Sequence, residues 1–300
     1  MTRRIIIVAG PTASGKSKYA IEIAQSQNGE IINCDSLQVY KHLQILTSYP
    51  KEEDQMIVPH KLFGYLDCFE KTTAADWAEK ASIAIEGILQ NNKVPIIVGG
   101  TGLYINTLIN GISPIPSVCK ENREKALKLA YEDYEDLCRK VYEIDDEIKN
   151  IITKDKHKQM IRAYEVFLET NQSILTFYKL SKKMFLNNVK PEYHIINVDR
   201  SILYQKINIR FREMLHNGAI DEVRDLLNSI REDDKYTIFK KYPIFNAIGA
   251  KEIVAYLDGI FTLEDVIEIS SLNSRRYAKR QITWFKHKIP LNDSVFEIGK

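Results

Sequence analysis

The run Ile5-Ile6-Ile7-Val8-Ala9 followed by Gly10-Pro11-Thr12-Ala13-Ser14-Gly15-Lys16-Ser17 decides the fold. Residues 4–9 read as a buried strand, residues 10–17 as a loop, and Ser17 to Gln25 as a helix with Tyr19, Ala20, Ile23 and Ala24 at apolar positions. In the pattern Gly10-x4-Gly15-Lys16-Ser17 the glycines stand where the backbone must turn sharply. The lysine reaches phosphate oxygens and the hydroxyl suits magnesium. Gly10, Pro11, Thr12, Ala13, Ser14, Gly15, Lys16 and Ser17 are therefore the candidate phosphate or diphosphate binders, with Ser17 the candidate Mg2+ ligand.

Working outward, Glu30 to Cys34 reads as a second strand stopping at Asp35, and Val94 to Val98 as a third stopping at Gly99-Gly100-Thr101-Gly102. Tyr193 to Val198 reads as a further strand ending at Asp199. Strand and helix alternate, which predicts an α/β fold: a P-loop NTPase-like parallel sheet flanked by helices, with polar loops converging beyond the carboxyl ends of the strands. The third strand lacks the terminal aspartate that holds magnesium in ordinary phosphate-loop NTPases. Asp35 and Asp199 are the carboxylates available for that place. Between Pro116 and Pro191 the pattern turns helical, which predicts an all-helical insertion over residues 117–190 within a core of 1–116 and 191–300.

In 300 residues, 44% hydrophobic and 27% charged, with a net charge of +2, there is material for a core without staples and no global field for nucleic acid. A nucleic-acid partner must then be met by local basic patches. Cys34, Cys68, Cys119 and Cys138 form no C-x2-C pair, which speaks against zinc and for reduced thiols acting as small buried hydrophobes. A strand starting by residue 4, and apolar runs too short for a bilayer, lead to the expectation of a cytoplasmic protein with no membrane partner.

Asp35-Ser36-Leu37-Gln38 lies where a carboxylate and an amide would face a bound compound. Together they read an adenine edge or, on the blander reading, cap a helix. The Gly99–Gly102 turn allows close backbone approach and offers the Thr101 hydroxyl. Arg210 shares a helical stripe with Leu203, Ile207 and Met214 and so faces inward, where it meets an acid such as Glu213 or a phosphate. From Ser274 to Lys286 basic residues interleave with aromatics. A helix there sets Arg276, Arg280 and Thr283 on one face and Tyr277, Gln281 and Trp284 on the next, suiting phosphate-backbone contact by one face and packing by the other or, on the blander reading, a cationic surface helix with a packed Trp. The insertion carries an acidic run, Glu132 to Glu147, then a basic one with Lys149, Lys154, Lys156, Lys158 and Arg162. These are solvated helix faces or a nucleic-acid contact.

Taken in order, GPTASGKS, INCDSLQVY, VGGTGLYI, DRSILYQKINIRFREML, AIGAKEI and RRYAKRQITWF resemble the tRNA dimethylallyltransferases (tRNA isopentenyltransferases) of bacterial type, from residue 5 to about 286. The resemblance implies transfer of a dimethylallyl group from dimethylallyl diphosphate to the exocyclic amine of the adenosine 3′ of the anticodon, with magnesium assisting. It implies Asp35, Thr101 and Arg210 as catalytic residues and Gly10–Ser17 as the diphosphate cradle. Asp35, Ser36, Leu37, Gln38, Thr101, Arg123, Gln159, Met160, Ile161, Arg162, Arg276 and Arg280 fall at tRNA-binding positions, with the insertion gripping the anticodon stem-loop and a monomer as the acting unit. Met160 and Ile161, Lys61 and Leu46 depart from the family pattern. Two other classes share parts of the sequence: a phosphate-loop kinase of a nucleoside or other small molecule, and a non-catalytic RNA-binding protein that senses nucleotide through the loop.

Overall fold

The computed structural model describes residues 3–230, 235–289 and 295–298. Strand β1, Arg3–Ala9, is buried from Ile5 onward on both faces, the condition for a central strand of a covered parallel sheet. It pairs in parallel with β4 (Val94–Gly99), Ile6 opposite Ile96, and with β5 (Val189–Ile196), Ile7 opposite Tyr193. Adding β2 (Gly29–Asn33), β3 (His60–Lys61) and β6 (Val295–Ile298) completes a six-stranded parallel sheet of order β3-β2-β4-β1-β5-β6. The two edge strands escape the sequence reading. His60–Lys61 is too short to show a period, and Val295–Ile298 falls where the sequence suggests only helices.

Side-chain alternation along β1 sorts the core into two layers. Ile6 and Val8 pack with Ile31, Ile96 and Val98 under Ala20, Ile21 and Ala24 of the Lys16–Ser26 helix. Ile5, Ile7 and Ala9 face the larger cluster built from Trp77 and Ile85 of the Ala74–Gln90 helix, Leu108 of the Gly102–Asn110 helix, and the carboxyl-terminal helices. Trp77 stacks on Tyr104 with ring centroids 4.5 Å apart and donates from Nε1 to Asn33 O at 2.9 Å, which fixes the end of β2.

Residues 110–184 form a separate compact unit, and 1–109 with 185–300 the other. The helical unit runs from Asn110 to Met184 where the prolines suggest 117–190, because Ile112 and Lys183 exchange backbone hydrogen bonds of 3.1 and 2.9 Å that tie its two ends together. Its core gathers Leu137 and Val141 of the Tyr134–Ile144 helix, Met160, Ala163 and Val166 of the His157–Thr170 helix, and Ile174 and Leu175 beyond. The acidic and basic runs meet in part: Lys154 pairs with Glu135 and Lys149 with Asp146, while Lys179, beyond the basic run, pairs with Glu147. Three of the four cysteines are buried as expected, but Cys119 is exposed at the start of the Lys120–Glu132 helix, where its amide donates to Glu169. Among the described residues no helix is long and apolar enough to cross a membrane.

Gly99 closes β4, and a Cβ built on it lies 2.1 Å from Cys34 O, a backbone atom that has no side-chain freedom to yield. Gly87, inside the Ala74–Gln90 helix, has nothing within 4 Å of such a Cβ. In urea unfolding, Gly99→Ala is expected to lose at least about 2 kcal/mol, and Gly87→Ala to gain roughly 0.5–1 kcal/mol. Equal effects at the two positions would contradict this packing.

Candidate active site

The phosphate loop turns on two residues in the left-handed region, Ala13 at φ 61° and Gly15 at φ 89°. Nothing lies within 4 Å of a Cβ built on Gly15, so conformation, not space, calls for glycine there. Gly15 precedes the Lys16–Ser26 helix, whose first-turn amides and dipole favour an anion. Lys16 curls back, Nζ donating to Pro11 O at 3.1 Å. The Ser14 hydroxyl is buried without a hydrogen-bond partner.

Thr12, Ala13, Ser14, Gly15, Lys16 and Ser17 line a cavity of about 310 Å³, together with Asp35, Gln38, Arg210, Tyr277 and Gln281. Gly10 and Pro11 are buried behind it and shape the loop. Arg210 comes from the Arg200–His216 helix, where Leu203 and Ile207 are buried on the same stripe. Its guanidinium donates to Thr12 Oγ1 at 3.4 Å and to Ser48 Oγ, so its partners are neutral hydroxyls and not Glu213. Burial pulls the Lys16 ammonium down to about 8; Asp35 opposes the fall and Arg210 adds to it. Burial lowers Arg210 as well, opposed by Asp35 and Glu213. Two cations thus sit in one cavity, with Asp35 acting on both, a field that attracts a multiply charged anion.

Asp35 is held by its neighbours. Its amide donates to Asn33 Oδ1 at 2.8 Å, Asn33 Nδ2 donates to its carbonyl at 3.1 Å, and its own Oδ1 accepts from Leu37 N at 2.9 Å. Gln38 spends its amide donors on Thr47 O and Ser48 O, at 2.9 and 2.8 Å, and so braces the turn that presents Ser48 to Arg210. Leu37 contributes to a smaller cavity of about 90 Å³ beside Asp35, lined also by Leu46, Ile207, Phe211, Met214 and Tyr277. Asp199, the other carboxylate available for a metal, instead caps the Arg200–His216 helix by accepting from Ser201 N and Ile202 N.

Gly99 lines the cavity, while Gly100 and Gly102 leave room for packing. A Cβ on Gly100 would lie 2.0 Å from Gln281 Nε2, and one on Gly102 2.4 Å from the Trp284 ring. Thr101 stands behind the cavity wall: its Oγ1 accepts from Ser36 N at 3.0 Å and it hydrogen-bonds Tyr277. Sequence reasoning missed Gln281 as part of the site. Buried on the Leu263–Lys288 helix, it accepts from Thr12 N at 2.8 Å and donates to Gly100 O at 3.0 Å, clamping the phosphate loop to the turn after β4. The signal was a glutamine on the inward face of a basic helix, next to Tyr277, whose phenol is pushed well up by burial and Asp35 and so stays a proton-bearing group. Arg276 and Arg280 on that helix are exposed, Arg280 lying over the Tyr277 ring.

In the helical unit, Gln159 is exposed and Ile161 half-buried. Met160 is fully buried between apolar neighbours and so packs the core instead of meeting RNA. Arg123 and Arg162 both pair with the buried Glu165, at 3.4 and 3.0 Å.

The sequence model described as IPP transferase matches residues 38–288, and that described as isopentenyl transferase matches residues 3–57. The chain belongs to the IPP transferase family. Among similar family members, the tRNA dimethylallyltransferase of Pelagibacter ubique is 39% identical over 95% of this chain and 89% of its own length. That of Rickettsia felis is 38% identical over 96% and 92%. The tRNA isopentenylpyrophosphate transferase of Bacillus halodurans superposes with a TM-score of 0.66 at 31% identity, covering 99% of this chain and 90% of that one. A eukaryotic dimethylallyltransferase acting on tRNA reaches a TM-score of 0.78 at 26% identity, over 95% and 70%. The core is the P-loop NTPase-like fold of these family members.

Because the Lys16 ammonium titrates near about 8, its charge is present below that pH and lost above it. The last ionisation of a phosphate ester, near ~6, is complete by then. Affinity for an alkyl diphosphate ester is therefore expected to fall by about tenfold between pH 7 and pH 9.5 in calorimetric titrations, and the fall to vanish in Lys16→Arg, whose charge does not titrate there. A flat profile for the unmodified chain would contradict the placement of Lys16.

Proposed function

We propose that this chain transfers the dimethylallyl group of dimethylallyl diphosphate to the exocyclic amine of the adenosine 3′-adjacent to the anticodon in tRNA, giving N6-isopentenyladenosine. The observation that carries the reading is the meeting, in one cavity, of a phosphate loop, two half-buried cations bonded only through neutral oxygens, and a carboxylate fixed by its own turn. An adenine amine is a weak nucleophile because its lone pair is drawn into the ring. As its nitrogen bonds to the allylic carbon and the carbon–oxygen bond breaks, it must lose a proton, and Asp35 is the acceptor at hand. The electron pair leaves with the diphosphate, whose growing charge is met by loop amides, the unpartnered Ser14 hydroxyl, Lys16 and Arg210.

Thr101 acts at one remove by holding Ser36 and Tyr277 beside Asp35. Ser17, with Asp35 and Asp54 lining the same cavity, offers the oxygen donors that Mg2+ takes; when bound, the ion supplies positive charge to the diphosphate. The target base must leave its stack to reach a cavity at the sheet edge, and the 90 Å³ hollow beside Asp35, with Leu37 and the carbonyl oxygen of the Gln38 side chain nearby, supports its reception. The exposed guanidinium groups of Arg276 and Arg280 suit tRNA phosphates. In the helical unit, exposed Gln159 with Arg123 and Arg162 is proposed for the anticodon arm.

Incubation with unmodified tRNA and labelled dimethylallyl diphosphate is expected to place label in adenosine. Consumption of ATP with unlabelled RNA would overturn the reading in favour of a kinase. Asp35→Asn is expected to lower turnover by roughly 10²–10⁴-fold with tRNA affinity changed only a few-fold, and near-normal turnover would remove Asp35 from the role of base. Replacing Arg276 and Arg280 by Gln is expected to reduce the slope of log affinity for tRNA against log salt by about 1 to 2; an unchanged slope would move the RNA footprint elsewhere.

A further inference from the structure

Among the described residues one cluster outside the catalytic cavity has the donors of a metal site. His42, Asp67 and Cys68 each bring a ligand atom within 4.8 Å of the other two, and none of them lines the phosphate-loop cavity. The backbone prearranges them. Leu66 N donates to Val39 O at 2.9 Å and Lys41 N to Leu66 O at 3.0 Å, forming the parallel bridge between Tyr40 and Leu66 that sets residues 42 and 67–68 side by side. Asp67 Oδ1 accepts from Cys68 N at 2.7 Å, which fixes the carboxylate, and Asp67 N donates to Glu70 at 2.6 Å.

One atom there is unexplained by the protein alone: His42 Nδ1 is buried with no hydrogen-bond partner. A buried ring nitrogen left unmet is unfavourable, and an ion is one of the few things that satisfies it. Ligands of a tetrahedral zinc, at ~2.0–2.3 Å from the ion, stand ~3.3–3.7 Å from one another, so the cluster closes on such an ion with movements of about 1 Å.

We propose that His42, Asp67 and Cys68 bind a thiophilic divalent cation of the zinc class, separate from the magnesium place at Ser17, fastening the segment that follows Asp35–Gln38 to residues 66–68. Imidazole, thiolate and carboxylate together select zinc-like ions over magnesium, which takes oxygen donors. Three protein ligands leave a fourth position to water. The Cys68 thiol, raised to about 11 by burial and by Asp67, gives its proton to solvent as the sulfur–metal bond forms. The spacing in sequence hides the site, since its ligands come from two segments joined only by the Tyr40–Leu66 bridge.

The test is a Co2+ titration of the metal-stripped full chain, read by the near-ultraviolet thiolate-to-cobalt charge-transfer band, followed by displacement with Zn2+. The expected result is saturation at about one equivalent, loss of the band in Cys68→Ser, at least tenfold weaker binding in His42→Ala (about the least that loss of a ligand should cost), and no change in Cys119→Ser, which alters the exposed thiol. Zn2+ should raise the unfolding temperature of the unaltered chain and not that of His42→Ala. No band under excess Co2+, a band that survives Cys68→Ser, or one that disappears with Cys119→Ser would overturn the proposal. Should Cys68→Ser not fold, unchanged affinity in His42→Ala overturns it instead.

Discussion

The site depends on two half-buried cations without a carboxylate in contact. Lys16 is bonded to the Pro11 carbonyl and Arg210 to the Thr12 and Ser48 hydroxyls, and burial lowers both from their ordinary values. Keeping charge in such a place is unfavourable unless something else holds it, and the hydrophobic stripe of Leu203 and Ile207 fixes the Arg210 helix while β1 and the Gly15 turn fix Lys16. In the proposed function these charges are held for an anion that is not part of the chain. In the proposed reaction the diphosphate gains charge as it departs, so a field set in advance stabilises the transition state more than the ground state.

Around that field the rest of the core unit acts as a frame. The parallel sheet brings the ends of β1, β2 and β4 together, with Cys34 N donating to Val98 O and Thr101 N to Cys34 O across them. Gln281 then joins the loop after β1 to the turn after β4 from a helix hundreds of residues away in sequence, and Thr101 and Tyr277 close the same circuit beside Asp35. Placement of the carboxylate and of the phosphate loop is thus coupled through a small set of buried polar contacts. Such circuits confer position more than stability.

The sequence made the central strands legible because buried parallel strands are continuous apolar runs, and it made Lys16, Asp35 and Arg210 legible because each sits at a patterned place: a loop motif, a strand end, an inward stripe. What it hid has a common cause. Gln281 and Thr12 meet across the fold, β3 is two residues long, and the hydroxyl partners of Arg210 come from distant segments, so no local period marks them. Gly100 and Gly102 look like ligand approach in sequence and make room for Gln281 and Trp284, because absence of a side chain has the same appearance in either case, while Gly99 both lines the cavity and makes room for Cys34. Met160 shows the converse: a position matched by motif to RNA lies on the apolar stripe of its helix, and burial decides its use.

The most direct test of the unpaired-cation account is calorimetric titration of inorganic diphosphate, with Mg2+ present, into the unaltered chain and into Arg210→Met, which keeps the apolar stem and removes the charge. The account requires affinity to fall by roughly 10–100-fold in the variant while its unfolding midpoint holds or rises, since a half-buried charge without a carboxylate partner has been removed. Undiminished diphosphate affinity in a folded Arg210→Met chain would contradict it.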